Sequence, residues 1–282
     1  MLDIPVGVEP QDIAAAGGFL WVAHADGSVQ ALTPEGAPLT TVQTAGGAVA
    51  LTTDGSRLWV AHRNGTITEI DAGSGAVTNR WTLNCGACLV RGIHWDGQAL
   101  WISNFAESTL NRLDPSQGAA QTFSAGADSP TTIASDASGI LVLHQSLSAQ
   151  STVLTRHNRT TGEVLGSIRA AGFPTAVLGN GHNIWLAVRG EAVGTLALYD
   201  ADTLSEIWHI EAAPINMLLL ASGSLWSADF TNDTVTRRDP VSGAVLDVYP
   251  AGNLPQALAY DGGFLWVVNR RDNSLTRYWI GN

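Results

Sequence analysis

Three of the seven histidines stand at one step of a repeating phrase, three residues after an anchor that is tryptophan in all units but one. The anchors are Trp21, Trp59, Trp101, Leu141, Trp185, Trp226 and Trp266. Three residues further on come His24, His62, Asn104, His144, Val188, Asp229 and Asn269. Imidazole and carboxylate groups can hold a metal ion or move protons. The same polar side chains can instead cap a turn by bonding its backbone. Strand spacing weighs on the choice. Side chains on the second strands of neighbouring sheets start roughly 10 Å apart, whereas metal ligands converge to ~2 Å from one ion. The pattern therefore points first to capping and leaves ligand contact open. No metal site and no cofactor are assigned.

A second set lies ten residues before each anchor: Gln11, Val49, Arg91, Thr131, Thr175, Asn216 and Gln256. Most are uncharged hydrogen-bonding groups. Arg91 is the exception, and a guanidinium above a neutral surface can clamp an anion. It can equally pair with a carboxylate such as Asp12. The only two cysteines form Cys85-Gly86-Ala87-Cys88 beside Arg91. A disulfide stapling this loop is expected. A redox pair at a helix start, a zinc site needing two more ligands, and two inert thiols are the alternatives. No Gly-x-Ser-x-Gly elbow, phosphate loop or His-Glu-x-x-His occurs.

The elements that must position these residues are short strands. The anchor phrase reads Leu-Trp-Val-Ala-His at 20–24 and at 58–62, and Leu-Trp-Val-Val-Asn at 265–269. Anchor spacings are 38, 42, 40, 44, 41 and 40 residues. A period near 40 with four strands per unit marks a β-propeller, so an all-β fold of seven four-stranded antiparallel blades is predicted. Each unit runs through a Gly/Pro turn, a small-residue strand, an Asp-Gly-type turn, the anchor strand, a polar turn, an alternating strand, and a hairpin of the form Asp-x-x-x-Gly. Unit seven stops after its third strand. Leu2–Val6 is unassigned and is expected to pair with Ser274–Ile280, completing blade seven and removing an exposed edge. One domain, 1–282, follows.

Composition narrows the partners. Net charge is −11, and all 14 basic residues are arginine. Nucleic acid and anionic membrane surfaces are poor matches for such a chain. No apolar run reaches the ~18–20 residues of a membrane helix. The N-terminus lacks the pattern of a signal peptide; it reads either as a genuine start or, the reading favoured slightly, as an added Met on an excised domain. A disulfide implies an oxidising compartment, so an extracytoplasmic location, periplasmic or extracellular, is expected.

The Leu-Trp-(Val/Ile)-(Ala/Ser)-(His/Asn) strand, the Asn-Gly-Thr turn and the Asp-x-x-x-Gly hairpin resemble the YVTN/NHL-type seven-bladed propellers. That group includes bacterial surface and periplasmic binding proteins and the streptogramin (virginiamycin B) lyases. The Trp-x-x-His spacing at Trp21/His24 and Trp59/His62 is similar to lyase repeats. The resemblance implies a lyase with a histidine base and a metal held by acidic residues on one face. No glutamate stands at the post-anchor step here. The terminal Trp-Asp of WD repeats is also absent. The first expectation is a monomeric, non-enzymatic binding or interaction module. Its ligand, a small molecule, glycan or protein, would meet Gln11, Asp12, His24, His62, Arg91, Asn104, Thr131, His144, Asn216, Asp229, Gln256 and Asn269 at a channel mouth. A lyase or hydrolase using His24, His62 or His144 is the alternative.

Overall fold

The computed structural model describes residues 3–145, 151–190 and 193–281, with backbone alone at 151–153. Its strands form seven four-stranded antiparallel sheets, and no helix occurs among the described residues. The fold is a seven-bladed β-propeller. Residue contacts group the chain into two compact units, 1–84 with 219–282, and 85–218.

The first unit shows how a blade is made. Pro10–Ala16, Phe19–His24, Ser28–Leu32 and Pro38–Gln43 pair in sequence order. The core lies between neighbouring blades. Trp21, Ala23 and Val29 pack against Leu51, Leu58, Val60 and Ile70 of the next blade. Outer strands such as Pro38–Gln43 lose this cover and are largely exposed. Blade seven takes its fourth strand from the N-terminus. Asp3, Ile4 and Pro5 pair antiparallel with Thr276, Leu275 and Ser274. The backbone N–H of Val6 donates to Asn273 O at 2.9 Å. Of the strand expected at Leu2–Val6, Leu2 lies outside the described residues. The 85–218 unit repeats the scheme, with Leu141, Leu143 and Leu154 packed against Ile184, Leu186 and Val188.

All six anchor tryptophans are fully buried. A buried ring of this size contributes several kcal/mol of burial but brings an indole N–H that needs an acceptor. The Asp-Gly turn supplies it in two blades. Asp96 Oδ1 accepts the N–H groups of Gln98 and Ala99, and its Oδ2 accepts Trp101 Nε1–H at 2.9 Å. Asp261 does the same for Gly263, Phe264 and Trp266, the last at 2.7 Å. In blade two Asp54 turns to Arg57, and Trp59 donates instead to buried Glu69 at 2.9 Å. In blade four the anchor is leucine, so no indole is present. Asp136 keeps its turn bonds, and its free oxygen accepts Arg156 Nη2–H at 2.5 Å. Arg156 lies directly across the strand pair from Leu141.

Two outcomes test this account. Asp261→Ala strands the Trp266 N–H and should cost about 1–3 kcal/mol in urea unfolding; Asp261→Asn should recover much of it. Deleting residues 1–8 uncovers the Ser274–Trp279 edge and should promote aggregation. Light scattering equal to that of the full chain would contradict the closing role of the N-terminal strand.

Candidate functional site

The post-anchor residues end their strands opposite the residue that enters the inner strand: Pro10 faces His24, Ala48 faces His62, and Pro255 faces Asn269. Their side chains turn into the protein. His24, His62, Asn104, His144, Asp229 and Asn269 are all buried. Asn269 Oδ1 accepts Gly252 N–H, while its Nδ2 donates to Ser274 and Thr276. Asn104 Oδ1 accepts Leu89 N–H, and its Nδ2 donates to Glu107. Asp229 accepts backbone N–H groups of Thr231 and Asn232 and the Asn232 amide. His62 Nε2 stands 3.1 Å from Thr68 Oγ1, and His144 Nε2 stands 2.7 Å from Thr155 Oγ1. These are caps built from one strand to the next. The threonines that complete them were not singled out in the sequence, where a Thr on an alternating strand reads as a solvent-facing residue. His24 is different. Neither ring nitrogen has a partner of hydrogen-bonding geometry, and burial lowers its pKa against the Asp26 charge and the neighbouring Val8, Gln30 and Gly7, which raise it. A Cβ at Gly7 would come 2.9 Å from the His24 ring, so the backbone there closes over the imidazole.

The second set is placed by an irregularity that the sequence did not show. In six blades the pairing of inner and anchor strands shifts register at this step: at Pro10/Asp12, Ala48/Ala50, Val90/Gly92, Pro130/Ile133, Pro174/Ala176 and Pro255/Ala257. Gln11, Val49, Arg91, Thr131, Thr175 and Gln256 are therefore bulge residues. A bulge drops its extra residue out of the ladder and re-aims its side chain. None of the six is fully buried, and Arg91 is exposed.

In the unit of 1–84 with 219–282, two of these residues meet. Gln256 Nε2 donates to Gln11 O at 3.2 Å, and Arg270 reaches Gln256 Oε1 at 3.4 Å. Asp12, beside Gln11, accepts Ile13 N–H at 2.9 Å and Leu51 N–H of the next blade at 2.8 Å. It keeps some surface, yet protein crowds it densely. Removal from water pushes its carboxyl up to about 6 against the two backbone donors that lower it. In the 85–218 unit, the Arg91 guanidinium lies 5.3 Å from the centre of the Phe105 ring. Phe105 was not picked out, although it directly follows the capping Asn104. Thr131 and Thr175 donate to Leu143 O and Ala187 O on their own anchor strands. Asn216 is half-buried on the strand Ile215–Ala221. Cys85 and Cys88 are disulfide-bonded, with Cα atoms 5.5 Å apart. Glu107 holds the loop between them by accepting Ala87 N–H at 2.7 Å.

The opposite ends of the strands also carry a concavity. A cavity of about 500 Å³ in the first unit is walled by Phe19, Pro34, Tyr260 and Phe264 over the glycines of the Asp-Gly-type turns. Among the described residues, no group of three or more His, Cys, Asp or Glu is disposed to hold a metal ion.

These features define the class: a β-propeller whose inner strands present bulged, variable polar residues. A solved structure of hydrazine synthase from Kuenenia stuttgartiensis is similar, with TM-score 0.84 at 12% identity, over 99% of this chain and 96% of that one. Likeness at that identity speaks for the fold alone. No known family profile and no curated protein match the sequence.

Burial makes the site pH-sensitive. His62, His94 and His144 are each lowered to about 4, with burial the largest cause. Unfolded histidine titrates near ~6.5. Between about pH 4 and 6.5 the unfolded chain therefore binds more protons, and stability falls as pH falls through that window. Asp12 opposes this, because its raised carboxyl binds a proton in the native state up to about pH 6. The urea midpoint should drop from pH 7 to pH 5. Asp12→Asn should make the drop steeper. An unchanged or higher midpoint at pH 5 would contradict the assignment of neutral buried imidazoles.

Proposed function

We propose that this protein is a non-enzymatic binding module, and that its ligand is met by the bulge residues of the inner strands, with Arg91 as the charged contact. The observation that carries this reading is the bulge. The same step that varies in residue type from blade to blade is the step at which the backbone turns a side chain out of the ladder. Uniform positions serve packing and capping; the bulge positions differ from blade to blade and keep side-chain surface, most of all Arg91. The acid–base candidates support binding over turnover, since His24, His62 and His144 are enclosed and the last two are engaged with threonines. A ligand with an anionic group fits Arg91 best: a carboxylated small molecule, an acidic glycan or an acidic protein segment. The Cys85–Cys88 disulfide supports an extracytoplasmic setting.

A thermal-shift screen of organic acids and acidic oligosaccharides at fixed salt tests the reading, because ligands that bind the native state raise its apparent stability. The best ligand should bind Arg91→Ala about ten- to a hundred-fold more weakly, the loss of one charge-assisted hydrogen bond of about 1.5–3 kcal/mol. The melting temperature of the ligand-free variant should match that of the parent. Equal affinity in the variant, or conversion of the ligand by the parent, would overturn the proposal.

A further inference from the structure

Blade four encloses a line of hydrogen-bonding groups that is one proton short. His144 Nδ1 lies 3.2 Å from Asp128 O, and its Nε2 lies 2.7 Å from Thr155 Oγ1. Thr155 Oγ1 lies 2.9 Å from His157 Nε2, and His157 Nδ1 lies 3.0 Å from Gly162 O. The line thus has four contacts and ends in a backbone carbonyl on each side. His144, Thr155 and His157 are each at most 2% exposed.

Protons can be counted along this line. A carbonyl only accepts, so each end contact needs its proton on Nδ1 of the adjoining histidine. A neutral imidazole carries a single N–H. With both ring protons committed to the ends, two bare Nε2 atoms face Thr155, whose hydroxyl has one proton to give. One contact then sets lone pair against lone pair. The Nε2–H tautomer of either ring only moves the fault to a carbonyl end. A further carbonyl sharpens the case. Ala125 O lies 3.2 Å from both Thr155 Oγ1 and His157 Nε2. His157 therefore has a carbonyl oxygen within reach of each ring nitrogen, an arrangement that two N–H donors fill and one does not. With a proton added at His157 Nε2, His157 donates on both sides, Thr155 donates to His144 Nε2, and His144 donates to Asp128 O. Every contact is then satisfied.

We propose that this line is a buried proton-binding site, which takes up one proton on His157 and reports it to His144 by fixing the direction of the Thr155 hydroxyl. The proton comes from solvent and no bond other than its own is made or broken. Asp128 is the charged group beside the line, and it raises His144. No charged group shifts His157; the carbonyls of Gly162 and Ala125 raise it and burial lowers it. Burial thus places the uptake on the acid side of an ordinary histidine, while the shared hydroxyl opposes a second proton on His144.

Long-range proton–nitrogen NMR on the whole 15N-labelled chain tests this from pH 8 to the onset of acid unfolding. At the upper end both rings should be neutral Nδ1–H tautomers. On acidification His157 Nε2 should become a donor, His144 should stay neutral, and signals of both rings should shift with one common midpoint. Thr155→Val should break that coupling, leaving His144 signals unmoved while His157 titrates; Thr155→Ser should preserve it. If Thr155→Val does not fold, the parent and Thr155→Ser spectra decide. Two protons taken up with separate midpoints, His157 remaining neutral until the chain unfolds, or Nε2–H tautomers in both rings at pH 8 would overturn the proposal.

Discussion

A buried indole N–H needs an acceptor, and four of the blades are arranged around that need. The anchor tryptophan fills the space between sheets, where hydrophobic burial is worth most. Its nitrogen then lies where water cannot serve it. Asp96 and Asp261 answer the need while closing the hairpin that precedes the anchor, so one carboxylate fixes the turn, the strand and the ring together. The exceptions follow the same rule. Trp59 uses Glu69, a carboxylate satisfied further by Thr78 and Asn79. Trp226 uses Ala221 O at 3.2 Å. Where the anchor is Leu141, Asp136 pairs with Arg156, and a guanidinium fills the role of the indole. Trp21 has Ala16 where blades two, three, four and seven have aspartate, and its N–H is left without a partner.

The far ends of the anchor strands obey a related constraint. A chain leaving a buried strand exposes backbone groups that need partners, and the post-anchor side chains supply them. This accounts for the recurrence of histidine, asparagine and aspartate at one step. In all but His24 their chemistry is spent locally, on Gly252, Leu89, Thr231 and the third-strand threonines. The residues that vary most in type are displaced by one position, onto the bulges. The two sets are neighbours across a strand pair, yet one is turned inward and the other out of the ladder.

Blade four departs furthest from the repeat. It lacks the tryptophan, carries two buried ion-pair partners in Asp136 and Arg156, and encloses two histidines around one threonine. Replacing a large apolar anchor by a leucine leaves room that polar groups fill, and a polar network in a low-dielectric interior holds its protons in definite places. That is the physical setting in which a proton site arises from a framework otherwise devoted to packing.

The sequence by itself determined the seven units, the four-strand order within each, and the use of the N-terminal segment to complete blade seven. Those features rest on local information: alternation of side chains, Asp-Gly and Asp-x-x-x-Gly turns, and a repeat period that chain neighbours alone can encode. It also marked which positions vary. Which way those side chains face was decided only by tertiary structure. Asp12 meets Leu51 across 39 residues, His144 meets Thr155 around a loop, and Gln256 meets Gln11 across 245. A single-residue bulge reverses the direction of a side chain without altering residue type, so the pattern of letters carries no trace of it. Capping and bulge residues draw on the same polar alphabet; burial and partner geometry, which arise only when blades pack, tell them apart.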